Sequence, residues 1–223
     1  MLCPSRGRPG NAAALAALWP DVTESARLHL IADADDPELA GYEAIPLPAH
    51  VSLDIIDGPR RLGPILNSAG PPHAAAADAV GFLGDDHRPR TAGWDTALLA
   101  ALDGRAGVAY GDDLFQHERV PTACVISASL IRALGYMVPP GLAHLYLDDF
   151  WARLGMDAGN LSYCPDVVIE HLHPAAGKGI WDAGYTLANS AETWTADGAA
   201  WEQFLADRWP ADLAAMRKRL AGG

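Results

Sequence analysis

Across residues 1–111, short apolar runs alternate with helical segments, and the runs end on polar or charged residues. Such alternation restricts the fold severely. A strand, a helix and another strand in succession favour a parallel pairing with the helix crossing over the sheet face. Met1–Cys3 predicts a very short strand that breaks at Pro4. "PGNAAALAALW" predicts a helix with Pro9 in its first turn and apolar residues continuing to Trp19. "ARLHLIA" (26–32) and "HVSLDII" (50–56) read as strands, and "RRLGPILNSAG" as a helix closed by Gly70. "DAVGFLG", "GWDTALLAAL" and "GVAYG" continue the series as strand, amphipathic helix and strand. The expected fold class is therefore α/β, with a mostly parallel central sheet flanked by helices.

The second half is less regular. "TACVISASLIRALG" reads as strand then helix, "LYLDDFWARLG" as a helix after an acidic pair, and "DVVIEHLHP" as a strand stopped by Pro174. From Ile180 onward the pattern is helical. With no repeat and no low-complexity linker, the economical reading is a single domain over 1–185 with a C-terminal helical extension of it over 186–223.

Composition narrows the function. Among 223 residues, Lys+Arg number 16 and Asp+Glu 28, for a net charge of −12. That charge disfavours a nucleic-acid acceptor and broad contact with anionic membrane. Cys3, Cys124 and Cys164 are odd in number and form no zinc spacing, which points to a reducing cytoplasmic setting. The start does not read as a signal peptide, and no apolar run approaches the roughly 20 residues of a membrane span. The phosphate loop GxxxxGK[ST], the dinucleotide fingerprint GxGxxG and the nucleophile elbow GxSxG are all missing from the sequence.

What the chain does carry is a set of polar clusters at predicted strand ends, where open α/β sheets bind ligands. "VGFLGDDH" places Asp85, Asp86 and His87 directly after an apolar run. Adjacent carboxylates repel, so they must be solvated or neutralised, and a divalent cation is one neutraliser. "VVIEHLHP" puts His171 and His173 two residues apart, hence on one face of a strand, as candidate partners for that ion. In "LYLDDFW", either Asp148 or Asp149 suits a helix N-cap, and either suits a general base that takes a proton from an acceptor hydroxyl. Arg6, Arg8, Arg60, Arg61 and Lys178 are scarce cations in an acidic chain, and Lys178 sits between two glycines past the histidines.

The order of these clusters resembles the GT-A glycosyltransferases, most closely their compact family-2-like bacterial and phage members. The resemblance runs over about residues 1–185 and rests on "PSRGRP", "ADADD", "RRLGPILNSA", "FLGDDHRPRTAGWD", "YLDDFW" and "EHLHPAAGKGIWD". It implies an enzyme that moves a sugar from a nucleoside-diphosphate sugar, UDP-sugar favoured, to an acceptor hydroxyl with inversion, using Mn²⁺ or Mg²⁺. It implies that Pro4, Ser5, Arg6 and Arg8, with Asp33 or Asp35, hold the nucleotide, and that Arg61 lies near it. Asp85 would contact ribose or sugar. Asp86 or His87 would reach the metal, with His171 or His173 as the second protein ligand. Trp94 would shape the sugar or acceptor pocket, Lys178 would assist the diphosphate, and Asp149, beside Asp148, would be the base. The chain departs from the family's pattern in reading Gly-Asp-Asp-His where a D-x-D is usual and Asp-Asp where Glu-Asp is usual. Two other readings accommodate the same residues: a nucleotidyltransferase, and a sugar-nucleotide-binding module without turnover.

Overall fold

A computed structural model describes residues 1–58 and 61–222. Arg60 lies outside the described residues. The chain runs β1 (Leu2–Pro4), α1 (Pro9–Val22), β2 (Leu28–Asp33), α2 (Leu39–Glu43), β3 (Val51–Ile56), α3 (Leu62–Ala76), β4 (Ala79–Phe82) and β5 (His87–Pro89). It continues through α4 (Trp94–Ala101), β6 (Val108–Asp112), β7 (Cys124–Ser127), α5 (Ala128–Leu134), α6 (Leu147–Ala158) and β8 (Leu161–His171). The C-terminal part is helical: α7 (Ala183–Ala188), α8 (Ala191–Gln203) and α9 (Trp209–Ala221), the last two joined by a π-helical turn.

All eight strands form one sheet in the order β3-β2-β1-β4-β7-β6-β8-β5. The first four strands pair in parallel, as the strand–helix alternation requires. β7 runs antiparallel to both its neighbours, β6 and β8 are parallel, and β5 is antiparallel to β8. The parallel character is therefore concentrated in the N-terminal half.

Each face of the sheet has its own apolar layer. On one face, Trp19 of α1, Tyr42 of α2 and Trp94 and Leu98 of α4 pack with Leu28 and Leu30. On the other, Leu66 of α3, Ile131 of α5 and Phe150 and Trp151 of α6 pack with Leu2, Ile31 and Ile126. Phe204, Trp209 and Met216 belong to this second layer, so the C-terminal helices are part of the core. No helix among the described residues is long and apolar enough to cross a membrane.

Three local expectations need correction. The helix that begins at Leu62 is not closed by Gly70; it continues through Pro71 and Pro72 to Ala76. Gly70 serves close packing instead, since a Cβ there would lie 3.0 Å from Met137. The segment after "GDD" is not only a loop: His87–Pro89 forms β5 and pairs with Ile169–His171. The last strand begins at Leu161 rather than near Asp166, and a bulge opposite Gly111 and Asp112 lets its second half turn to meet β5.

Gly111 is required at that turn. A Cβ there would sit 2.2 Å from the Val167 carbonyl oxygen, which is backbone and cannot rotate aside. We expect Gly111→Ala to cost about 1–3 kcal/mol by overpacking, read as a lower urea midpoint at unchanged slope.

Candidate functional site

A cavity of about 400 Å³ opens where β1, β2 and β4 end. Parallel strands direct their carboxyl ends, and the loops after them, to a common edge. Pro4, Ser5, Arg6 and Arg8 line the cavity from the first loop, and Asp33 from the second. Asp85, Asp86 and His87 enter from the third, and Arg61 from the start of α3. Asp148 and Asp149 stand at the opposite wall, with His171 and His173 beside the acidic loop.

Asp85 and Asp86 are both buried, at 2% and 8% exposure, so they are not members of a solvated turn. Asp85 accepts a 2.5 Å hydrogen bond from Ser5 and lies 3.3 Å from Arg8 Nε. Burial lifts its carboxyl to about 6, against the pull of Arg8 and with a further push from Asp86. Asp86 faces two imidazoles: His171 Nε2 is 3.5 Å from its Oδ2 and His87 Nδ1 is 3.3 Å from its Oδ1. Burial alone would raise Asp86, but hydrogen bonding to His171 and His87 outweighs it and holds the carboxyl well below its usual range.

Tertiary pairing creates this cluster. His87 lies directly opposite His171 across β5 and β8, and the two rings stack with centroids 4.1 Å apart. Gly84 lets the loop close, since a Cβ there would stand 2.6 Å from Asp86 Oδ1 and 2.8 Å from His87 Nδ1. Asp86, His87 and His171 offer ligand atoms that all lie within 4.8 Å of one another. A carboxylate with imidazoles suits a divalent ion. Asp86 and His171 fit this role better than His87, whose Nδ1 already accepts the Gly84 N–H at 3.1 Å. His173 is no longer on the strand. It caps the short 3₁₀ turn Pro174–Ala176 by accepting the Ala175 N–H, and it stacks on Phe115.

Asp148 and Asp149 occupy the first turn of α6, and neither is the N-cap, a position held by Tyr146 in a left-handed conformation. Asp148 is half-buried and accepts the Asp149 N–H. Burial and then the Asp149 charge push Asp148 up to about 6, and burial raises Asp149 as well.

Arg6 is fixed by Asp33 at 2.8 Å and Asp35 at 2.9 Å. The other Asp33 oxygen, Oδ1, is buried without a partner among the described residues. Asp35 holds Arg6 without lining the cavity itself, and two further expected site residues lie elsewhere. Trp94 is fully buried in the α1–α4 layer, where its indole donates to Thr23 and meets Trp19 edge-on. Lys178 pairs with Glu170 at 2.8 Å, which Arg90 also binds, and does not line the cavity. Glycines on either side of Lys178 suggested a free cation; the Glu170 carboxylate two strand positions before Leu172 captures it.

Several site residues escaped the sequence reading. Tyr185 of α7 donates its hydroxyl to Asp86, and its ring lies 5.2 Å from the Arg8 guanidinium. Leu187, Ala188, Asn189 and Trp194 extend the same wall, so residues past 185 help build the cavity. Asp113 accepts three backbone N–H groups from Phe115, Gln116 and His117, plus the Thr122 hydroxyl, beside His171. Its signal was present: "YGDD" repeats the strand-then-acidic-pair pattern of "LGDD". Asp197 of α8 accepts the N–H groups of Ala143, His144 and Leu145, fixing the loop that leads into Asp148. Nothing local in the sequence marks Asp197.

Burial would lower His171, but the carboxylates of Asp113 and Asp86 override it and raise the imidazole to about 9. A folded value above the unfolded one, about 6.5, gives stability that is complete below pH 6.5 and fades as pH rises through 9. In EDTA, His171→Gln should therefore cost most at pH 6, up to ~3 kcal/mol, with the difference from wild type closing toward pH 9. Urea titrations across that range measure it.

No protein-family profile and no curated protein sequence matches the chain. Solved structures do. A mannosyltransferase from Pyrobaculum calidifontis, PcManGT, in complex with GDP-Man and Mn²⁺, superposes with a TM-score of 0.57 at 14% identity, over 99% of this chain and 73% of that one. S. aureus TarS in complex with UDP-GlcNAc gives 0.55 at 11% identity, over 98% and 71%. A putative nucleotide-diphospho-sugar transferase from Desulfovibrio desulfuricans gives 0.51 at 13% identity, over 98% and 97%. The chain has the GT-A-like fold of these nucleotide-sugar transferases.

Proposed function

We propose that the protein is a glycosyltransferase that moves a sugar from a nucleoside-diphosphate sugar to an acceptor hydroxyl, with inversion and with Mn²⁺ or Mg²⁺. The observation that carries this reading is the single cavity at the sheet's carboxyl edge, which joins the Asp86–His171 cluster to the Asp148–Asp149 pair. The neighbours support the donor class: PcManGT is in complex with GDP-Man and TarS with UDP-GlcNAc. A UDP-sugar is the favoured donor and a GDP-sugar the second.

Each residue has a task in that reaction. Asp33, with a buried unpaired oxygen, accepts from a base or ribose group, while Arg6 is held in place against it. Asp85 and Ser5 bind the ribose or sugar. Arg8, 3.3 Å from Asp85, faces the departing diphosphate; Lys178, tied to Glu170, does not take this part. Asp86 and His171 would hold the divalent ion, which when bound would neutralise charge on the leaving diphosphate. Tyr185 must release Asp86 for that. Asp149, more exposed than Asp148, takes the proton of the acceptor hydroxyl as the new bond forms, and Asp148 shapes its field.

Ligand specificity and chemistry are tested separately. UDP or GDP should raise the melting temperature more with Mn²⁺ than with EDTA, and Asp86→Ala should remove that difference in protein that circular dichroism shows to be folded. Equal shifts in EDTA would exclude the metal role. Asp149→Asn should keep nucleotide affinity and lower transfer, or donor hydrolysis, by about 10²–10⁴-fold. Full transfer by Asp149→Asn would move the base to Asp148. Release of pyrophosphate in place of nucleoside diphosphate would identify nucleotidyl transfer, and binding without any turnover would identify a binding module.

A further inference from the structure

A second cluster of metal-ligand type lies on the far side of the sheet's N-terminal half. His29 of β2, Asp54 of β3 and His73 in the last turn of α3 offer ligand atoms all within 4.8 Å of one another. Strand register explains the grouping. His29 pairs with Ser52 and Ile31 with Asp54, so alternation puts all four on one face. That is the face covered by α3, since Ile31 packs with Ile65, Leu66 and Ala74. The His29 and His73 rings lie 4.2 Å apart, and His29 Nδ1 is 3.6 Å from Asp54 Oδ2 and 2.9 Å from Ser52 Oγ.

This grouping is independent of the donor cavity. Asp33, four residues along β2 from His29, lines that cavity, which puts about 13 Å of strand between the two sites. Packing occupies one ligand atom, His29 Nδ1, which bonds Ser52 Oγ at 2.9 Å. The His73 ring nitrogens have no hydrogen-bond partner among the described residues, and the Asp54 side chain is 50% exposed. A cleft of about 210 Å³ lined by Asp54, Ile65 and Ser68 opens on the Asp54 side of the group.

We propose that His29, Asp54 and His73 bind a Zn²⁺-type transition-metal ion that clamps edge strand β3 and its neighbour β2 to the end of α3. Two imidazoles and one carboxylate form a donor set that zinc takes readily and magnesium does not. A tetrahedral zinc with ligands at about 2.0–2.1 Å needs its ligand atoms about 3.3 Å apart. Rotation of side chains already in one another's reach supplies that closure. The fourth position is left to water on the exposed side. Sheet edges are weakly held on one flank, and a tie between β3 and a packed helix stabilises the edge against fraying.

The test uses tag-free, EDTA-stripped protein in which Asp86→Ala and His171→Ala silence the donor cavity. Calorimetric titration with Zn²⁺ should give one site, and Co²⁺ at that site should give the intense visible absorption of tetrahedral coordination. Adding His73→Ala should weaken zinc binding by at least about tenfold and abolish that absorption. Asp54→Asn, at an exposed position that keeps the fold, should also weaken it. Circular dichroism checks that each variant is folded. Zinc should raise the melting temperature of the silenced protein and leave that of the His73→Ala form unchanged. Absence of stoichiometric zinc binding by the silenced protein, or wild-type affinity in both His73→Ala and Asp54→Asn, overturns the proposal.

Discussion

The antiparallel pairing of β5 with β8 is the constraint on which the candidate site depends. It sets His87 opposite His171 and turns an acidic loop inward, where Asp85 and Asp86 are buried. Two adjacent carboxylates out of water would be costly alone. Here His171 of β8 and Arg8 and Ser5 of the first loop compensate them, all distant in sequence from the acidic pair. The compensation is unequal. Asp86 is held ionised by imidazoles, while Asp85 is pushed toward neutrality. Adjacent groups thus acquire different chemistry from their surroundings.

A recurring device keeps the surrounding loops in place. Asp95, Asp113 and Asp197 each accept three backbone N–H groups from a loop: Glu24 to Ala26, Phe115 to His117, and Ala143 to Leu145. Three backbone donors are satisfied together by one carboxylate, which fixes the loop in one conformation. Asp113 positions the segment beside His171, and Asp197 positions the segment leading to Asp148. Much of the chain's acidity is therefore structural, and the net charge alone does not report how many carboxylates face a ligand.

The C-terminal helices have two roles. Phe204 and Trp209 complete the apolar layer around Phe150, while Tyr185, Leu187 and Trp194 wall the cavity. The boundary expected at residue 185 therefore falls within the wall of the cavity. Tyr185 also links the two ends of the chain, since it contacts Asp86 from one loop and Arg8 from another.

The sequence by itself determined the parallel half of the sheet, because alternating strand and helix segments leave few other topologies. It also determined which loops carry the polar residues, because strand ends are marked by breaks in apolar pattern: Arg6, Arg8, Asp33, Asp85 and Asp86 were legible that way, and Asp148 and Asp149 from the start of a helix. Only the tertiary structure decided which of these meet. The three-residue β5 is too short to have a period, so the His87–His171 pairing had no local signature. Trp94 could have faced a ligand or the core, and its contact with Trp19 put it in the core. Lys178 could have reached the cavity, and Glu170 drew it away. The His29–Asp54–His73 group joins residues from three elements through strand register and helix packing, two non-local constraints that no window of sequence contains.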